Sequence, residues 1–155
     1  MPPGVDSVYF DAGVFIAWFN NEPGRADTIE RVLTASSSGT LRAITSIVSL
    51  AEVVYLRQTH SRLSPEELDR RINSLLLNER LIGLVQLDET VALRARQFVR
   101  VASNDRERLT VLDAIHLASA VHAEARYFAT YDGDFTRVSE NVDIAMGPPT
   151  LQISQ

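Results

Sequence analysis

The sequence predicts an α/β fold in which about five short strands form a central, mainly parallel sheet packed between helices. Three observations predict it. Short apolar, β-prone segments alternate with longer segments of helical periodicity along the chain, the pattern of repeated βα units. Helix-capping residues stand where that alternation places helix starts. Finally, 155 residues without a cysteine suggest one domain of ordinary size, with a core that needs neither disulfides nor a cysteine zinc site.

Residues 7–10 (SVYF) read as the first strand, followed by a helix over 14–20 that Pro23 and Gly24 terminate. Residues 26–36 form a second helix with Ile29, Val32 and Leu33 on one side, and SSSG (36–39) a loop. A strand over 41–45 leads into a helix over 47–60. SPEE then opens another helix: Ser64 caps, Pro65 takes the first helical position and Glu67 completes a capping box, with the helix reaching about Arg80. LVQL (84–87) is a third strand, and Asp88 caps a helix reaching about Ala102. SNDRER (103–108) is a charged loop, 109–124 an apolar helix, YFAT (127–130) a fourth strand and VDIAM (142–146) a fifth. Residues 1–147 are thus expected to form one domain and 148–155 a short tail.

Composition closes several function classes. All 15 basic residues are arginine, so a P-loop lysine, a lysine Schiff base and a lysine general base are excluded. A formal net charge of −5 argues against wholesale non-specific binding to nucleic acid. No window has the apolar length of a membrane span, and MPPGVDS lacks the positive start of a signal peptide. The absence of cysteine fits a reducing cytosol, so a cytoplasmic protein with no membrane partner is expected.

The acids fall in a pattern. Asp11 directly follows the first strand (VYFDAG), and Asp132 and Asp134 directly follow the fourth (YFATYDGDF). Open parallel sheets bind ligands beyond the carboxyl ends of their strands, so these acids belong on one edge. Glu52 lies amid apolar residues (SIVSLAEVVYL) in the helix after strand two, and Asp113 near the start of the helix feeding strand four. Four segments can therefore deliver carboxylates to one place. Such a cluster repels itself unless a hard divalent cation such as Mg²⁺ or Mn²⁺ resolves the repulsion. Metal-activated water attacking a phosphodiester is the natural chemistry. Each acid also has a purely local use: Asp11 as a helix cap, Asp113 in a capping box opened by Thr110, Asp132 and Asp134 as turn residues beside Gly133, and Glu52 paired with a buried arginine. His116, three residues after Asp113, either faces the site or packs in the core.

At VYFDAGVFIAWF, ITSIVSLAEVVYL, LDAIHLASAV and FATYDGDF the chain resembles PIN-domain proteins, and more narrowly VapC-type toxin ribonucleases. The resemblance implies a PIN-like three-layer α/β/α sandwich. It implies that Asp11, Glu52, Asp113 and Asp132 line a Mg²⁺ or Mn²⁺ site that cleaves single-stranded RNA, with Asp134 assisting. It also implies a homodimer and a small VapB-like antitoxin. One departure stands out: the family commonly has serine or threonine just after the first aspartate, where this chain has Ala12 and Gly13. Thr45, Ser46 and Thr130 are the remaining hydroxyl candidates beside the acids. LRARQFVRVASNDRER carries Arg94, Arg96, Arg100, Arg106 and Arg108, a local basic segment suited to RNA phosphates or, alternatively, a solvated helix face.

DGDFT (132–136) also matches the D-x-D-x-T motif of haloacid-dehalogenase phosphatases, but that motif opens its domain and here only 19 residues follow it. A catalytically degenerate PIN fold serving as a protein-binding module, and a DNA-directed nuclease of the same fold, are the alternatives.

Overall fold

The computed structural model describes residues 5–54, 63–102 and 109–152. Its elements, in order, are β1 (Ser7–Phe10), α1 (Ala12–Phe19), α2 (Ala26–Ser37), β2 (Arg42–Ser46), α3 (Ser49–Glu52), α4 (Pro65–Leu76), β3 (Ile82–Val85), α5 (Glu89–Ala102), α6 (Val111–His122), β4 (Tyr127–Ala129), a 3-10 segment (Gly133–Asn141) and β5 (Ala145–Gly147). The five strands form one sheet in the order β3-β2-β1-β4-β5, and every neighbouring pair is parallel. The expected α/β/α sandwich is the fold observed.

Side-chain alternation along the strands divides the core in two. Val8 and Phe10 face one way and pack with Val14, Phe15, Ile29, Val32 and Leu75 from α1, α2 and α4. Tyr9 and Phe128 face the other way and pack with Val91, Ala95, Leu117 and Phe135 from α5, α6 and the 3-10 segment. The strand order produces this division: the chain runs outward from β1 to β3 under one layer, then returns past β1 to β4 and β5 under the other. The strand order therefore switches direction between β1 and β4, which is where an open α/β sheet leaves a crevice.

Several expected boundaries shift. The helix expected over 47–60 ends at Glu52, where Val53 leaves helical geometry (φ −80°, ψ 67°); residues 55–60 lie outside the described residues. The helix opened by Ser64 stops at Leu76, not near Arg80, and Asn78 begins a turn whose side chain takes the Arg80 amide at 3.1 Å. Strand β3 starts two residues earlier than LVQL, because register with Ala43–Ser46 selects residues 82–85. Strand β5 is Ala145–Gly147 instead of VDIAM (142–146), and a 3-10 segment precedes it. No helix among the described residues is long and apolar enough to cross a membrane.

Candidate active site

Asp11 is the residue on which the crevice is built. Its amide extends the ladder to Ala129 O (3.3 Å), and its Oδ1 caps α1 by accepting the Val14 amide at 3.0 Å. Its Oδ2 accepts from the Thr130 hydroxyl. The same hydroxyl oxygen accepts the Asp132 amide at 2.9 Å, and Asp132 Oδ1 in turn caps the 3-10 segment through the Asp134 amide at 2.9 Å. Thr130 thus joins the end of β1 to the end of β4 across the switch point. Gly13 belongs to the same construction: a Cβ there would stand 3.3 Å from Asp11 Oδ1. Ala12 and Gly13 carry no hydroxyl, and the hydroxyl that meets Asp11 comes from Thr130, just after β4.

Asp113 enters from the first turn of α6, where its amide donates to Thr110 Oγ1 at 3.1 Å. Glu52, the last residue of α3, reaches across to α6 and accepts from His116 Nε2 at 2.6 Å. The sequence offered Glu52 a metal ion or a buried arginine; its protein partner is His116, and its side chain is 25 % exposed and not fully buried. His116 is both core residue and site neighbour, since its ring is buried while one nitrogen meets that carboxylate.

These pieces line one cleft of about 500 Å³ that includes Asp11, Gly13, Glu52, Asp113, His116 and Asp132. Burial pushes the carboxyls of Asp11 and Asp113 above the usual carboxylate range. For Asp11 the Thr130 hydrogen bond pulls back, and the neighbouring Asp132 pushes further up. For Asp113 the Thr110 hydrogen bond opposes burial, while Asp132 and Glu52 add to it. The acids are electrostatically coupled, as carboxylates from separate segments become when they share a cleft.

Local capping and convergence both hold. Asp11, Asp113 and Asp132 are each used at a helix or 3-10 start, and those starts all open into the same crevice. Other expected site residues stand apart. Asp134 is exposed in the first turn of the 3-10 segment and does not line the cleft. Thr45 donates to Phe10 O of β1 and bonds Ser49 Oγ of α3 (both 2.7 Å), while Ser46 Oγ accepts the Val48 amide at the start of α3, so neither hydroxyl bonds the acids. Arg94, Arg96 and Arg100 lie on α5 and do not line the cleft. Arg106 and Arg108 lie outside the described residues.

A cation the sequence did not single out lines the cleft instead. Arg25, at the start of α2, lies 4.1 Å over the ring of Tyr131 and pairs with Glu22 at 3.0 Å. No local pattern marks Arg25; tertiary packing against Tyr131 brings it to the acids.

Among the described residues no three acidic or histidine side chains close around a common point as a ready coordination shell. The donor set still suits a hard cation, because all four acids offer oxygen and Mg²⁺ keeps most of its waters, needing only one or two carboxylates directly.

A PIN-domain family model matches residues 8–141. The chain belongs to the PIN-domain family. Among solved structures, this PIN domain is similar to Mycobacterium tuberculosis VapC20, a sarcin-ricin loop cleaving toxin (18 % identity, 83 % of this chain and 92 % of that one, TM-score 0.59). It is also similar to Rickettsia felis VapBC2 bound to a DNA fragment from their promoter (13 %, 90 % and 96 %, TM-score 0.66). A third similarity is to VapBC-1 of nontypeable Haemophilus influenzae (15 %, 92 % and 97 %, TM-score 0.63). At these identities the likeness is one of fold. No curated protein matches the sequence.

Proposed function

We propose that this PIN domain is a divalent-metal-dependent endoribonuclease that cleaves single-stranded RNA, and that it is the toxin of a type II toxin-antitoxin pair. The observation that carries the reading is the convergence of Asp11, Glu52, Asp113 and Asp132, from four separate segments, on one cleft at the switch point of the sheet. Family membership and the toxins among its structural neighbours support it.

Asp11, Glu52, Asp113 and Asp132 would hold the ion, Mg²⁺ or Mn²⁺. Such an ion supplies Lewis acidity toward a phosphodiester and water. Thr130 holds Asp11 and the Asp132 backbone in fixed relation. Arg25, stacked on Tyr131, offers the cleft a guanidinium for the phosphate backbone, and its free face can stack an unpaired base. Arg94, Arg96, Arg100, Arg106 and Arg108 are further proposed contacts for RNA phosphates. A homodimer and a VapB-like antitoxin complete the reading.

The test is cleavage of single-stranded RNA with chelator and with Mn²⁺, using wild type, Asp11→Asn and Asp113→Asn. Metal-dependent cleavage lost in both folded variants supports the assignment. Folded variants that keep wild-type turnover would sink it, and cleavage of single-stranded DNA but not RNA would redirect it to the DNA-directed alternative.

A further inference from the structure

Behind Glu52 runs a buried chain of polar groups that the metal site does not itself require. His116 Nε2 lies 2.6 Å from Glu52 Oε1, and its Nδ1 lies 2.7 Å from the Tyr9 phenol oxygen. The Ser46 amide donates to that phenol oxygen at 3.0 Å. Tyr9 is fully buried in β1, and His116 is 2 % exposed in α6.

The proton positions follow from the partners. A carboxylate only accepts, so Nε2 carries hydrogen. The Ser46 amide only donates, so it occupies a lone pair of the phenol, which lies 2.7 Å from Nδ1 with the Ser119 and Thr45 hydroxyls also beside it. Burial pushes the Tyr9 hydroxyl well above its ordinary range, so it stays a donor. The imidazole is thereby held between the Glu52 carboxylate and the Tyr9 phenol, with Nε2 donating to Glu52. Rotation is restrained as well: Tyr9 stacks on Phe128 (5.1 Å, 12°) and meets the His116 ring edge-on (5.8 Å, 73°). The chain ends on one oxygen of Glu52, whose Oε2 makes no hydrogen bond among the described residues.

We propose that Tyr9 and His116 form a positioning relay for Glu52, in which the fixed imidazole holds Oε1 and leaves Oε2 as the oxygen offered to a divalent cation in the cleft. This rests on the metal-dependent reading above. Residues that hydrogen-bond a metal ligand commonly change metal affinity by about 10–100-fold when removed. His116 is a positioning residue here and need not touch substrate.

The test is Mn²⁺ titration by calorimetry of wild type, Asp11→Asn, His116→Leu, His116→Gln and Tyr9→Phe, with the melting temperature in chelator as the fold control. His116→Gln returns an amide N–H near the Nε2 position; His116→Leu fills the space without a donor. The expected result is Mn²⁺ affinity about 10–100-fold lower in His116→Leu. His116→Gln should regain most of that loss, and Tyr9→Phe should fall in the same direction by a smaller factor. A purely structural histidine predicts lower melting in chelator with unchanged affinity of the folded protein, and that outcome overturns the relay. Should His116→Leu not fold, His116→Gln and Tyr9→Phe decide: wild-type affinity in Tyr9→Phe, or a full loss in folded His116→Gln, overturns it. Mn²⁺ binding lost in Asp11→Asn but kept in folded His116→Leu removes only the relay, whereas no Mn²⁺ binding by wild type removes the metal-dependent reading together with it.

Discussion

Replacing Thr130 with valine isolates the join between the two halves of the site. The change keeps the shape of a buried side chain and deletes one hydroxyl. Two hydrogen bonds go with it, one to the Asp11 carboxyl and one from the Asp132 amide. A bond to a charged group contributes about 1.5–3 kcal/mol and a neutral one about 0.5–1.5 kcal/mol. The Asp132 amide lies partly in reach of water, so the expected loss at neutral pH is about 2–3 kcal/mol. The loss should depend on pH. Asp11 already has a folded pKa raised above its unfolded value, and the Thr130 bond is the strongest influence holding it down. Without that bond the folded pKa rises further, so ionisation costs the variant more than the wild type. The penalty should therefore be largest near pH 7.5 and shrink toward pH 4, where a protonated Asp11 loses only an ordinary hydrogen bond. Urea denaturation of both proteins in chelator, followed by circular dichroism at the two pH values, measures this. A penalty below about 0.5 kcal/mol, or one equal at both pH values, would refute the reasoning.

Glu52→Gln should change metal-free stability by less than about 1 kcal/mol, because the amide oxygen can still accept from His116 Nε2; melts in chelator and Mn²⁺ should show the metal gain reduced. For wild type, Mn²⁺ at a hundred times its dissociation constant should add about 2.7 kcal/mol, or about 5–11 °C in melting temperature for a chain of this size. The raised carboxyls of Asp11 and Asp113 contribute stability that is present below their unfolded pKa and lost as pH rises through the folded values. Metal-free stability should accordingly fall from about pH 4 toward neutrality, and a flat melting profile over that interval would contradict the shifts. Gly13→Ala should gain up to about 1 kcal/mol of helix propensity in α1, partly offset by its Cβ pressing on Asp11, and should weaken Mn²⁺ binding in the same calorimetric assay.

The elements were legible in the chain because their signals are local. SPEE caps its helix through Ser64 Oγ and the Glu67 amide, and Asp88 caps α5 through the Val91 amide. Asp11, Asp113 and Asp132 could be placed at the right edge because each sits at a strand end or helix start, and the carboxyl ends of parallel strands share one side. What only the tertiary structure decided depends on residues far apart in sequence. Register with β2 shifted β3, since a strand's limits are set by its neighbour's hydrogen bonds as much as by its own residues. Glu52 faced a choice between arginine and metal on sequence alone, and the tertiary fold brought it a histidine 64 positions away. Thr130 reached Asp11 across 119 positions, and Arg25 came to the acids through the ring of Tyr131. Apolar periodicity and capping determine which segments form and which ends they present. The partner of a side chain that crosses between layers is determined only when the sheet order and both helix layers are in place, because a hydrogen bond is decided by ångström distances that no sequence spacing encodes.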